Sequence, residues 1–190
     1  MIQKALESEN YDYITALAMA DVFFTTGISL LKYKKPSAIF AGATNLGLSI
    51  EIYLKSLIVM EGNSKPNNHK LCELYRLLSG DLIKIIEKKY KEFNGADSDN
   101  DIFFIRGRKE NSDSSENNYS PHNPSANISE LLKQHKNMFI TFRYMSEKGR
   151  SDEWEHFILE YENIKILIDI LKNTSYNFLS EEQTEQISKI

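Results

Sequence analysis

Glu51 and Lys55 sit one helical turn apart inside a stretch that is otherwise almost wholly apolar, AIFAGATNLGLSIEIYLKSLIVM over residues 38–60. An unpaired charge in such a setting costs several kcal/mol, so the two need a partner or a purpose. With the Glu on the N-terminal side at i and i+4, they can pair with each other. Two readings stand side by side: an internal salt bridge at the mouth of a helical bundle, or a polar pocket completed by groups from a later helix. His69 follows Asn67 and Asn68 just downstream. Its ring either caps the helix that it opens or carries a proton near neutral pH. Arg143, Tyr144 and Glu147 close a later amphipathic stretch. Arg143 lies beside the apolar stripe, next to Phe139 and Phe142. It either snorkels to Glu147 at i+4 or offers a guanidinium that a phosphate can engage bidentately.

Other chemistries find little footing. One cysteine and four scattered histidines cannot build a closed zinc site. Glu153 and His156 have the spacing of a di-iron ligand pair but no second copy. There is no glycine-rich phosphate loop. No metal or cofactor is expected, and Cys72 reads as a small core hydrophobe. The formal net charge of -4 gives no electrostatic case for tight duplex DNA binding. The N-terminal MIQKALESENYDYI lacks a signal core. Residues 38–60 are long enough to span a bilayer, but Glu51 and Lys55 would fall within it. The expectation is a cytoplasmic protein with no membrane partner.

The elements that must position these groups are helices. At 190 residues the chain suits one domain. Ile14, Leu17, Asp21, Phe24, Ile28 and Leu31 recur at spacings of three and four, predicting a helix over about 10–33 that Lys35-Pro36 ends. A second, central helix starts at Pro36 or Ser37. Ile39, Ala43, Leu46, Ile50, Tyr53, Leu57 and Met60 form its main stripe; Ala41, Leu48, Ile52 and Val59 line its far side. Gly42 and Gly47 leave room for a neighbour, and Gly62 is a helix stop. A short helix follows over 69–79 and a fourth over 81–93. Residues 94–127 read as a long loop, partly mobile, with one apolar island, Ile102 to Ile105, and a basic cluster at Arg106, Arg108 and Lys109. A fifth helix is predicted over 128–148 and a sixth from Ser151 or Asp152 onward. Residues 180–190 form a tail that suits a frayed helix. No segment alternates as a strand, so no sheet is expected. The fold class is all-α: a single-domain antiparallel bundle of five or six helices with a long loop between the fourth and fifth.

Residues 41–78 resemble the HEPN superfamily of nucleotide-binding and RNase domains, bacterial members included. The features are Glu51-Ile52-Tyr53-Leu54-Lys55, then Gly62, then His69-Lys70-Leu71 and the leucine-rich Leu74, Leu77 and Leu78. Phe139 or Ile140 followed by Arg143-Tyr144-Met145-Ser146-Glu147 is similar to a helix end found in some members. The resemblance implies a helical domain that often dimerises. It also implies RNA or nucleotide as the ligand, and in many members metal-independent RNA cleavage in phage defence or toxin–antitoxin pairs. Others are non-catalytic modules that bind a nucleotide or a protein, such as an antitoxin. The nucleases carry an Arg followed after four to six residues by a His; Arg150 and His156 have five between them. By that likeness Arg143 or Arg150 would stabilise the scissile phosphate. His69 or His156 would move a proton with Glu147 nearby, and Glu51, Lys55 and Tyr144 would bind.

Overall fold

The computed structural model describes residues 11–94, 102–105, 125–135 and 157–190. Helix α1 spans Tyr13–Leu31 and opens on Asp12, whose carboxylate accepts the Thr15 backbone N–H at 3.1 Å. Such a cap satisfies one of the orphan donors of the first turn. The chain reverses through Lys34, with φ at +53°, and an extended Lys35. Proline disfavours helix in the residue before it and suits the first helical turn, so α2 spans Pro36–Met60. Gly62, with φ at +82°, takes the left-handed conformation just beyond its end.

These two helices pack antiparallel along most of their length. Ala20 meets Ser49, Gly27 meets Leu46, and Leu31 meets Gly42. Two glycines permit this close approach. A Cβ on Gly42 would stand 2.8 Å from Leu31 Cγ, and one on Gly27 2.8 Å from Leu46 Cδ2. The predicted main stripe of α2 is buried from Ile39 to Leu57, whereas the far side is half-buried and Ala41 is exposed. Helix α6, Tyr161–Tyr176, closes the core with Ile164, Leu167, Ile168 and Leu171. Asp21, which interrupts the apolar stripe of α1, ties the three together. Its carboxylate accepts Tyr53 Oη–H and, at 2.6 Å, Tyr176 Oη–H, and pairs with Lys172 at 2.9 Å. Burial and then this carboxylate push both phenols above their ordinary range.

The remaining described elements are shorter. Helix α3 is Leu71–Arg76 and α4 is Gly80–Asn94. Leu82, Ile86 and Tyr90 of α4 are buried, but Phe93 is exposed, as is Leu77 after α3. Strand β1, Ile102–Ile105, pairs antiparallel with β2, Phe157–Glu160, in register from Ile102 opposite Glu160 to Ile105 opposite Phe157. Helix α5 is Ile128–Gln134, and α7 is Glu181–Ile187, capped by a reciprocal Ser180–Gln183 box.

The all-α fold class holds, with seven helices among the described residues. Three expectations need correction. The sequence pattern excluded sheet, yet the apolar island at 102–105 is one strand of a two-stranded pair. The sixth helix begins at Tyr161, because Phe157 to Glu160 extend to pair with that island. Helix α5 ends at Gln134, where the His135 ring turns back on the Leu131 carbonyl, so the 128–148 helix does not form as one piece. The basic cluster at Arg106, Arg108 and Lys109 lies outside the described residues.

By length and composition α1 and Ser37–Met60 of α2 are each apolar enough to cross a membrane. Most of the α2 window is buried in the bundle, while only 28% of the α1 window is.

Candidate functional site

A polar cluster forms where the C-terminal half of α2 meets the loop before α3. Glu51 and Lys55 project from successive turns of α2 and pair at 2.9 Å, with both side chains more than nine-tenths buried. The loop returns from Gly62 and is anchored twice. Glu61 accepts the Ser79 backbone N–H at 3.0 Å, and Leu71 and Leu74 enter the core. Between these anchors His69 lies with Nδ1 at 2.8 Å from Glu51 Oε1. A carboxylate only accepts, so His69 Nδ1 carries the hydrogen and donates it. The His69 side chain is 52% exposed, whereas that of Glu51 is 7%.

Oε1 of Glu51 thus receives both donors. Oε2 is buried and has no hydrogen-bond partner among the described residues, and the same holds for Asn68 Oδ1. Buried acceptors are normally paired, and leaving one unpaired costs about 1–3 kcal/mol. Tyr11 completes the rim: its hydroxyl lies 3.2 Å from Ser56 Oγ, and Lys65 Nζ stands 5.4 Å from its ring centre. Burial raises the Tyr11 pKa, the Ser56 bond lowers it, and the Glu51 charge raises it further.

Sequence spacing anticipated the Glu51–Lys55 ion pair. The reading of His69 as a helix cap does not hold. Lys70 occupies that position, without a side-chain capping bond, and the ring reaches back to Glu51 instead. Arg143, Tyr144, Glu147, Arg150 and His156 lie outside the described residues.

A second buried carboxylate was not singled out from the sequence. Glu160, at the junction of β2 and α6, accepts from Ser125 N–H at 2.7 Å, Ser125 Oγ–H at 2.6 Å and Asn163 Nδ2–H at 2.7 Å. Its own backbone N–H points at His135 Nε2, 3.4 Å away. Glu160, Ser125, His135 and Asn163 are all buried. Burial and then this carboxylate raise the pKa of the nearby Tyr90 phenol. The arrangement resembles a serine triad only in composition. Ser125 bonds to the carboxylate and His135 Nδ1 to the Leu131 carbonyl at 2.9 Å, so it clamps strand, α5 and α6 together. A Glu three residues before an Asn at a helix start was the available signal. Among the described residues no group of three or more His, Cys, Asp or Glu is placed to hold a metal.

Comparison with protein-family models, curated proteins and solved structures finds no match. The chemistry of the cluster therefore carries the functional reading.

Proposed function

We propose that this chain is a HEPN-like protein that acts on RNA, a metal-independent ribonuclease of a phage-defence or toxin–antitoxin system, with His69 as its proton carrier. The observation that supports this reading is a half-exposed imidazole held by a buried carboxylate that is itself paired with a lysine. With Nδ1–H given to Glu51, the proton transfer is assigned to Nε2. Glu51 fixes the tautomer and orients the ring, and Lys55 holds the buried Glu51 in place.

On a bound RNA, Nε2 removes the proton of a 2′-hydroxyl. The 2′ oxygen bonds to the adjacent phosphorus as the bond to the 5′ oxygen breaks. The leaving 5′ oxygen takes a proton from water, which recovers one from the His69 imidazolium, so the ring returns to its neutral form and a 2′,3′-cyclic phosphate remains. Charge developing on the phosphate calls for a cation beyond Lys55, which Glu51 occupies. Arg143 and Arg150 are the candidates by resemblance. The protein is expected to be cytoplasmic.

Incubation of purified protein with RNA in EDTA tests the reading. Cleavage to cyclic-phosphate ends is expected, falling at least about 100-fold in His69→Ala, the low end of what general acid–base catalysis contributes. Because His69 is half exposed, this variant should unfold within about 1 kcal/mol of wild type. Absence of cleavage, or undiminished cleavage by His69→Ala, overturns it. Arg143→Ala and Arg150→Ala then name the phosphate-binding arginine.

One observation favours a second reading. With Lys55 spent on Glu51 and the chain at -4, the further positive charge described at the cluster is confined to its rim, where Lys65 stands over the Tyr11 ring. A non-catalytic module that binds a protein partner or a nucleotide accommodates this better. A stable partner in pull-down, with intact RNA, supports it.

A further inference from the structure

Lys55, Lys65 and Lys70 all lie at or beside the Glu51–His69 cluster, and two of them are neutralised. Lys55 pairs with Glu51 at 2.9 Å, and Lys70 pairs with Glu73 at 2.9 Å. Among the described residues no carboxylate engages Lys65. Its ammonium stands 5.4 Å from the centre of the Tyr11 ring instead. An aromatic face holds such a cation weakly at an exposed site and leaves its charge intact. The N–H donors turned away from the ring stay available to an anion. Lys65 is exposed, and so is His69, four residues further along the same loop.

The ring beneath Lys65 is itself fixed. Tyr11 directly precedes Asp12, the residue that caps α1, and its hydroxyl lies 3.2 Å from Ser56 Oγ on α2. Ser56 adjoins Lys55, and the Glu51 charge reaches the Tyr11 phenol. Pro66 follows Lys65, and a proline restricts the residue before it to extended backbone, which limits where the lysine stem can start. One rim therefore runs from His69 through Glu51 and Tyr11 to Lys65. Its two ends are an imidazole that can move a proton and an ammonium with no carboxylate partner among the described residues.

We infer that Lys65, positioned by Tyr11, is a phosphate subsite of this rim and binds a phosphodiester next to the one on which His69 acts. The inference rests on the RNA reading and adds to it a binding residue that lies outside the resemblance. His69 touches Glu51 directly, whereas Lys65 is joined to Glu51 only through Tyr11, so Lys65 is assigned to a neighbouring phosphate and not to the scissile one. A lysine meets a phosphate as a point charge. Such a contact reads no base, so it strengthens binding about equally for every sequence. It also acts alike on the ground state and the transition state, and so lowers KM without changing kcat.

Binding of a 2′-O-methyl RNA oligonucleotide to the full chain, followed by fluorescence anisotropy over a salt series, tests it. This probe has no 2′-hydroxyl to react, so binding is read whether or not the protein cleaves RNA. Lys65→Gln is expected to lower the slope of log affinity against log salt by about 0.7, the share of one phosphate on a single strand. It is expected to weaken binding about 5-fold near 0.1 M salt, the upper end for an exposed ion pair. Lys65→Arg should keep the slope, and Lys70→Gln, whose charge is already paired, should leave it unchanged. All three positions are exposed, so the helical circular dichroism spectrum should match wild type. On cleavable RNA, Lys65→Gln should raise KM and leave kcat unchanged. A slope that Lys65→Gln does not move overturns the inference, as does an equal drop in Lys70→Gln or a wild type that does not bind the probe. Adenosine monophosphate binding as tightly as the oligonucleotide would assign Lys65 to a free nucleotide and overturn it too. RNA cleaved with an unmoved slope removes the subsite and leaves the ribonuclease reading; a Lys65-dependent slope with intact RNA does the reverse.

Discussion

Glu51 and Glu160 are both buried carboxylates, and their surroundings differ in kind. Glu51 is met by two groups that can bear positive charge, one of them reaching solvent, and retains an oxygen with no partner among the described residues. Glu160 is met by three neutral donors, all buried. The first arrangement keeps an imidazole in contact with both solvent and a buried carboxylate, the setting that the proposed acid–base role needs. The second uses these donors to hold β2, α5 and α6 together. Burial of a carboxylate therefore says little about function until the charge and exposure of its partners are known.

The contrast can be broken most forcefully at Lys55. Lys55→Met leaves Glu51 buried beside an imidazole as its remaining partner, and a loss of about 3–5 kcal/mol in urea unfolding is expected. Adding Glu51→Gln should recover most of it, since removing both charges also removes the desolvation cost. A loss below about 1 kcal/mol for the single variant would show that the ion pair is not buried as described.

Glu160→Gln should cost about 2–3 kcal/mol, because charge-assisted bonds from Ser125 and Asn163 become neutral and one donor meets an amide NH₂. On the proposed ribonuclease reading, cleavage per folded molecule should not change. A variant that folds normally yet loses activity would move the catalytic centre to Glu160.

Exposed Asp12 sets the lower bound. Asp12→Ala should cost about 1 kcal/mol, the usual worth of such a cap. The Thr15 hydroxyl and then its backbone N–H hold the Asp12 carboxyl below its ordinary value. A depressed carboxylate stabilises the fold above its unfolded pKa, about 3.9, and that contribution disappears as pH falls through the lower folded value. The difference between wild type and Asp12→Ala, measured by thermal unfolding, should be constant above about pH 5 and close below about pH 4.

Much of this was legible in residue spacing. The stripe of α2, its stop at Gly62 and the Glu51–Lys55 pairing follow from local rules of one helix, which need no knowledge of neighbours. Gly42 signalled a close approach but not its partner, Gly27. The His69 contact joins residues eighteen apart across a loop, and local capping preference pointed elsewhere. Glu160 was hidden for the same reason: its Ser125 partner is thirty-five residues away.

Taken alone, the sequence determined the helical class, the start of α2 at Pro36 and its stop before Gly62, and the pairing within a single helix, because periodicity, proline and glycine act over a few residues. Only the tertiary structure decided that Ile102 to Ile105 would pair as a strand, since an apolar island takes the structure that its partner offers. Tertiary contact also decided that Asp21 would face two tyrosines and a lysine, that His69 would turn to Glu51, and that α1 would leave an uncharged face outward. Each depends on which distant elements meet, and loop closure over tens of residues leaves no mark in local pattern.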